Sequence, residues 1–143
     1  MAEYLSSLDD FRLSAIAREM APVPDVLAWF QQHGRLFRHV ALTATPLSAA
    51  PASAAWVMSR FGWWIRSFHV VPSPREGKQI PVYDRSKEDF LRWWSRIDIL
   101  VDDNSLNISS AQALGLKVVL MPRPWNRAQS TLSETLNTLT GLA

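Results

Sequence analysis

The chain has 143 residues, a hydrophobic fraction of 48% and a charged fraction of 20%, the composition of a globular protein able to bury a core. A net charge of +2 without a Lys/Arg cluster gives no footprint for nucleic acid, and no apolar run reaches membrane-spanning length. The absence of cysteine excludes disulfides and thiolate metal sites. The expectation is one domain over residues 1–143, with 1–22 an atypical N-terminal segment, in a cytoplasmic protein that engages neither nucleic acid nor membrane.

Residues 6–20 read as a helix capped by Ser6 or Ser7, with Asp9 and Asp10 in its first turn. Leu8, Phe11, Leu13, Ile16 and Met20 give it an imperfect apolar face. Ala21-Pro22-Val23-Pro24 breaks it, and a second helix runs from Asp25 to His33, with Pro24 at its start and Gly34 at its end. His39 to Thr45 is a short buried strand that finishes in hydroxyls and Pro46. Ala49 to Ile65 follows as a helix of low charge, with Gly62 an interior flaw or a local end. Ser67 to Val71 is the next strand.

Pro72 to Tyr83 reads as a loop or a small hairpin. In a parallel sheet its Arg75 and Lys78 lie at the same end as Thr43, either solvated or meeting an anion. Ser86 suits the N-cap of the next helix, with Asp89 three residues on. Lys87 is its first residue, where a cation is mildly unfavourable. Phe90, Leu91, Trp93 and Trp94 are expected to pack that helix on the sheet. The seven tryptophans are read as core fillers.

The most informative stretch runs from Ile97 to Asn126. An apolar run, Ile97 to Val101, ends in two adjacent carboxylates, Asp102 and Asp103. An Ala- and Ser-rich helical segment follows, closed by Gly115, and then a second apolar run, Lys117 to Met121, stopped by Pro122. This spacing predicts a right-handed βαβ unit of a parallel sheet. Its carboxylates stand where open α/β sheets bind ligands. A last helix is expected from about Ala128 to Leu139, with Leu132, Leu136 and Leu139 inward.

The ordered series of strand, acidic pair, Asn107, Gly115, second strand and Pro124-Trp125-Asn126 resembles the C-terminal half of a haloacid dehalogenase superfamily domain. The branch it resembles contains 5'(3')-deoxyribonucleotidases and related small phosphatases. The resemblance implies a three-layer, Rossmann-like parallel sheet. It also implies roles. Asp102 and Asp103 would hold magnesium. Thr43, with Thr45 as second choice, and the amide of Ala44 would hold a phosphate oxygen. Lys87 would neutralise phosphate, and Asn107 would help to bind it.

The same resemblance makes one absence conspicuous. Family phosphatases carry an Asp nucleophile at the end of the first, central strand, with a second Asp two residues later. An anionic nucleophile approaches an anionic ester only when a metal ion and a Lys screen both. No apolar strand ending in Asp-x-Asp occurs here. Laying Ser7-Leu8-Asp9-Asp10 over that motif requires a strand in residues 2–6. The other reading keeps residues 6–20 helical and puts the first strand upstream of Met1.

The expectation is therefore a nucleotidase-related domain without a nucleophile, inactive or a fragment, that retains weak binding of magnesium and of a phosphorylated small molecule. The alternatives are a phosphomonoesterase completed by a partner chain, and a non-catalytic interaction module. The missing strand would lie between the strand ending at Thr43 and the strand ending at Asp102. Their unpaired backbone groups then need partners. Residues 2–6 enter the gap, the two strands pair directly, or a second copy covers them, with a homodimer expected.

Overall fold

His39–Thr45 forms strand β1 with the bounds the sequence indicates, and Pro46 ends it. The computed structural model to which it belongs describes residues 2–143. The fold is mixed α/β, with two separate pairs of short parallel strands. Two compact units are distinguished, one of Met1–Val23 and Arg38–Ser86, the other of Pro24–Phe37 and Lys87–Ala143. No helix among the described residues is long and apolar enough to cross a membrane.

In the first unit β1 pairs in parallel with β2, Ile65–Pro72, in a register that ends with Thr45 opposite Pro72. The pairing is irregular between His39 and Ala41. The helix joining them, α4, spans Ala50–Phe61 and follows a 3₁₀ turn at Leu47–Ala49. It stops at Gly62, short of the expected Ile65. A Cβ at position 62 would stand 2.3 Å from the Met58 carbonyl oxygen, so the position takes glycine. The chain then turns at once into β2, which starts two residues earlier than its apolar run suggested.

The N-terminal segment corrects the expectation of one helix over 6–20. Helix α1 spans Ala2–Leu13 and α2 spans Ala15–Glu19. Ser14 separates them because its hydroxyl serves the backbone on both sides, donating to Phe11 O at 2.7 Å and accepting from Ala17 N at 3.1 Å. Ser7 is no cap; its hydroxyl donates to Glu3 O inside α1. Residues 2–6 are helical, so the strand considered for them is not formed. Helix α1 packs on α4 and on the 3₁₀ turn that precedes it. Residues 73–86 carry no strand, so the small hairpin is not formed either.

The second unit is built on β3, Ile99–Asp102, paired in parallel with β4, Lys117–Leu120. Helix α6, Ser105–Ala113, joins them and packs on both strands. Gly115 ends it in the left-handed region, φ +84°. Leu116 N then reaches Ala111 O and Gly115 N reaches Gln112 O, the paired bonds of a Schellman turn. Helix α3, Pro24–His33, and α7, Leu132–Thr140, pack on one another, and α7 packs on β4. Trp29 of α3 is buried with Val119, Leu136 and Leu139. Its indole N–H donates to Thr140 Oγ1 at 2.8 Å, which satisfies its one polar atom.

Helix α7 starts four residues after the expected Ala128, at a capping box in which Thr131 and Glu134 exchange bonds. Helix α5 spans Lys87–Trp93. Phe90 and Leu91 are buried and Trp94 is half-buried, whereas Trp93 is exposed. At 3.6 residues per turn Trp93 falls on the side away from Leu91. Trp63 and Trp125 are exposed as well, so the tryptophans are not all core fillers.

Candidate functional site

Strand β3 drives its last residue, Asp102, into the interior, with its side chain only 2% exposed. A carboxylate there needs donors for both oxygens or it must take up a proton. The sequence around it supplies three donor groups. Lys87, the first residue of α5, brings Nζ to 2.6 Å from Oδ2, with its own side chain 14% exposed. The backbone N–H of Asn104 donates to Oδ1 at 2.8 Å. Asn107, in the first turn of α6, donates from Nδ2 to Oδ1 at 3.3 Å and to Oδ2 at 3.2 Å.

The helix behind this carboxylate is oriented to favour it. Asn104 is the N-cap of α6, its side-chain oxygen accepting from Leu106 N at 2.9 Å. The positive end of the helix macrodipole therefore meets the negative charge that closes β3. Burial explains the cation on α5 in the same way, because a Lys in a first helical turn is disfavoured unless a specific partner outweighs the dipole.

Asp103 behaves differently from its neighbour. It is half-buried, and its carboxylate makes no hydrogen bond or ion pair among the described residues. Its backbone carbonyl instead accepts from Asn126 Nδ2 at 2.9 Å. The same amide donates to Met121 O at 2.8 Å, and its oxygen accepts from Arg123 N and Ala128 N, both at 3.2 Å. One side chain thus ties the residue after β3 to the loop after β4, using both its donors and both its lone pairs. The Pro124-Trp125-Asn126 ending is visible in the sequence only as a pattern. The role of its Asn could be guessed only from the amide's capacity for four bonds in a polar loop.

Of the residues singled out from the sequence, Lys87, Asp102 and Asn107 come together. Thr43 and Ala44 lie in the other unit, near the carboxyl end of β1, the first half-buried and the second exposed. Thr45, the second choice, is buried there.

The donor set also tests a divalent cation. Both oxygens of Asp102 are engaged, one of them by an ammonium, and the Asp103 carboxylate takes no part in that network. No group of three or more His, Cys, Asp or Glu side chains that could hold a metal occurs among the described residues. Magnesium prefers an octahedral set of oxygens. The residues of this unit, as arranged, fit an internal cation better than a metal ion. No protein-family model, curated protein or solved structure matches the chain.

Proposed function

We propose that the chain is a haloacid dehalogenase-like, nucleotidase-related domain that recognises a phosphate ester without supplying a nucleophile of its own. The observation that carries this reading is the ammonium of Lys87 on Asp102 Oδ2 at 2.6 Å, with Asn107 beside them, where a parallel βαβ unit ends. The resemblance implies Lys87 and Asn107 for phosphate and Asp102 for magnesium, and these three side chains meet here. In this reading Lys87 divides its charge between Asp102 and an incoming phosphate, and Asn107 holds Asp102 in place. A Rossmann-like three-layer sheet is the fold this reading implies, and a role for Thr43 and Ala44 on a phosphate oxygen comes from the resemblance alone.

Hydrolysis of generic phosphate monoesters is expected at background level, because losing one member of a catalytic unit removes nearly the whole acceleration. A titration of the full chain with inorganic phosphate, followed by NMR, tests the binding. Shifts centred on residues 87 and 102–107, lost in Lys87→Met, are the expected result. Their absence, or magnesium-dependent turnover lost in Asp102→Asn, would overturn this reading.

A homodimer is proposed from a separate observation. Among the described residues β1 is bonded to β2 alone and β3 to β4 alone, and residues 2–6 are helical. An open strand edge offers its backbone to another chain. Light scattering at micromolar concentration tests this; a monodisperse monomer rejects the dimer.

A further inference from the structure

The unit built on β1 and β2 holds a second charged cluster that the reading above does not use. Asp9 of α1 receives Arg75 in a two-pronged contact, Nε to Oδ2 at 2.6 Å and Nη2 to Oδ1 at 2.8 Å. Arg12, one turn on in α1, places Nη1 3.2 Å from the same Oδ1. Arg75 is fixed further by Nη1 donating to Pro74 O, and its side chain is only 13% exposed. Two guanidinium groups thus converge on one carboxylate, and one positive charge is left without a counter-charge in the cluster. The charge arithmetic suits a dianion better than the monoanion present. The Arg75 guanidinium, ahead of Arg12, also holds the Asp9 carboxyl below its ordinary range.

The position matters as much as the charge. Arg75 lies three residues beyond the end of β2, and Ser73 N donates to Thr45 O at 3.0 Å, so its loop leaves from the carboxyl ends of both strands. Parallel α/β units bind ligands at that end. Thr45 there is 2% exposed, and its Oγ1 has no hydrogen-bond partner. A buried hydroxyl without a partner is costly and uncommon in a folded protein.

We propose that Arg12 and Arg75 form a clasp for a dianionic oxyanion of the phosphate class, and that the Asp9 carboxylate is its internal competitor. The ligand is exchanged against Asp9, so the clasp is weak in the resting chain and strong once Asp9 is removed or turned away. The site is independent of Lys87 and Asp102.

Inorganic phosphate titrated into the full chain, read on the arginine Nε–Hε NMR signals and by calorimetry, tests the proposal. The Arg75 signal is expected to shift with phosphate in the wild type. Asp9→Ala should bind phosphate about tenfold more tightly, the scale of a charge-assisted contact removed. Arg75→Met should lose the effect. Glycerol 3-phosphate in a parallel titration separates an ester from the free ion. Equal binding assigns a terminal phosphate group, binding of phosphate alone assigns the free ion, and binding of neither overturns the clasp. An Arg75 signal indifferent to phosphate in the wild type, or an Asp9→Ala affinity no higher than wild type, also overturns it. The wild-type measurement decides the matter even where a variant fails to fold.

Discussion

Lys87 Nζ stands 2.6 Å from Asp102 Oδ2 across fifteen residues of chain, and both side chains are largely withdrawn from water. A pair of this kind contributes little net stability against an apolar replacement, but breaking it strands a buried charge.

Lys87→Met should therefore cost about 3–5 kcal/mol, since Asp102 keeps its charge without a counter-ion. Lys87→Met combined with Asp102→Asn should recover much of that loss. Urea unfolding of the single and double variants checks the cycle. Equal stability of Lys87→Met and wild type would mean that solvent already screens the pair.

Gly115→Ala should cost about 1–2 kcal/mol, the price of a side chain in the left-handed region. Gly115 has φ +84° with open space around it, so backbone conformation and not collision sets the effect. Gly115→Asn should lose less, because Asn tolerates this region. Thermal melts of the two variants give the comparison.

Asn126→Ala removes four hydrogen bonds around one amide. A loss of about 1–3 kcal/mol is expected, because two of the partners are main-chain N–H groups left to find new acceptors. The melting temperature reports it. Asn126→Asp should rescue only in part, since a carboxylate cannot donate to the carbonyls of Asp103 and Met121.

Acid should destabilise the β1–β2 unit in two steps of the same sign. Burial holds His69 below its ordinary value of 6.5, against an opposing pull from Asp84. Its contribution is complete above 6.5 and is lost as pH falls through the lowered folded value. Asp9, lowered from 3.8 chiefly by Arg75, contributes fully above 3.8 and loses that contribution as pH falls through its lowered value. Denaturation midpoints measured down the acid range should fall first with His69, and His69→Gln should flatten that first step.

Strand β1 was legible to the residue because an apolar run bounded by Pro46 leaves little choice. The second βαβ unit was legible for the same reason, with Gly115 as its marker. The pairing of Lys87 with Asp102 was not legible, since nothing local says which helix start meets which strand end, and the resemblance gave Lys87 to phosphate and Asp102 to magnesium. Ser14 was misread as helix interior because a hydroxyl that caps one helix and closes another looks like any surface serine. The start of α7 was misplaced although Thr131 and Glu134 stand at capping-box spacing in the sequence; the Ala and Gln before them suggested helix more strongly. Asp103 was taken as the partner of Asp102, but successive residues leaving a strand point to opposite faces.

The Asn126 amide has a consequence for cooperativity. It binds the Asp103 carbonyl on one side and the Met121 carbonyl on the other, while Met121 N donates to Asp102 O at 2.8 Å. No one of these links opens without loosening its neighbours. The backbone amides of Met121, Arg123 and Ala128 should therefore exchange their protons through a single shared opening. In that event the buried charge pair and the tryptophan-bearing loop are one mechanical element, and they give way together.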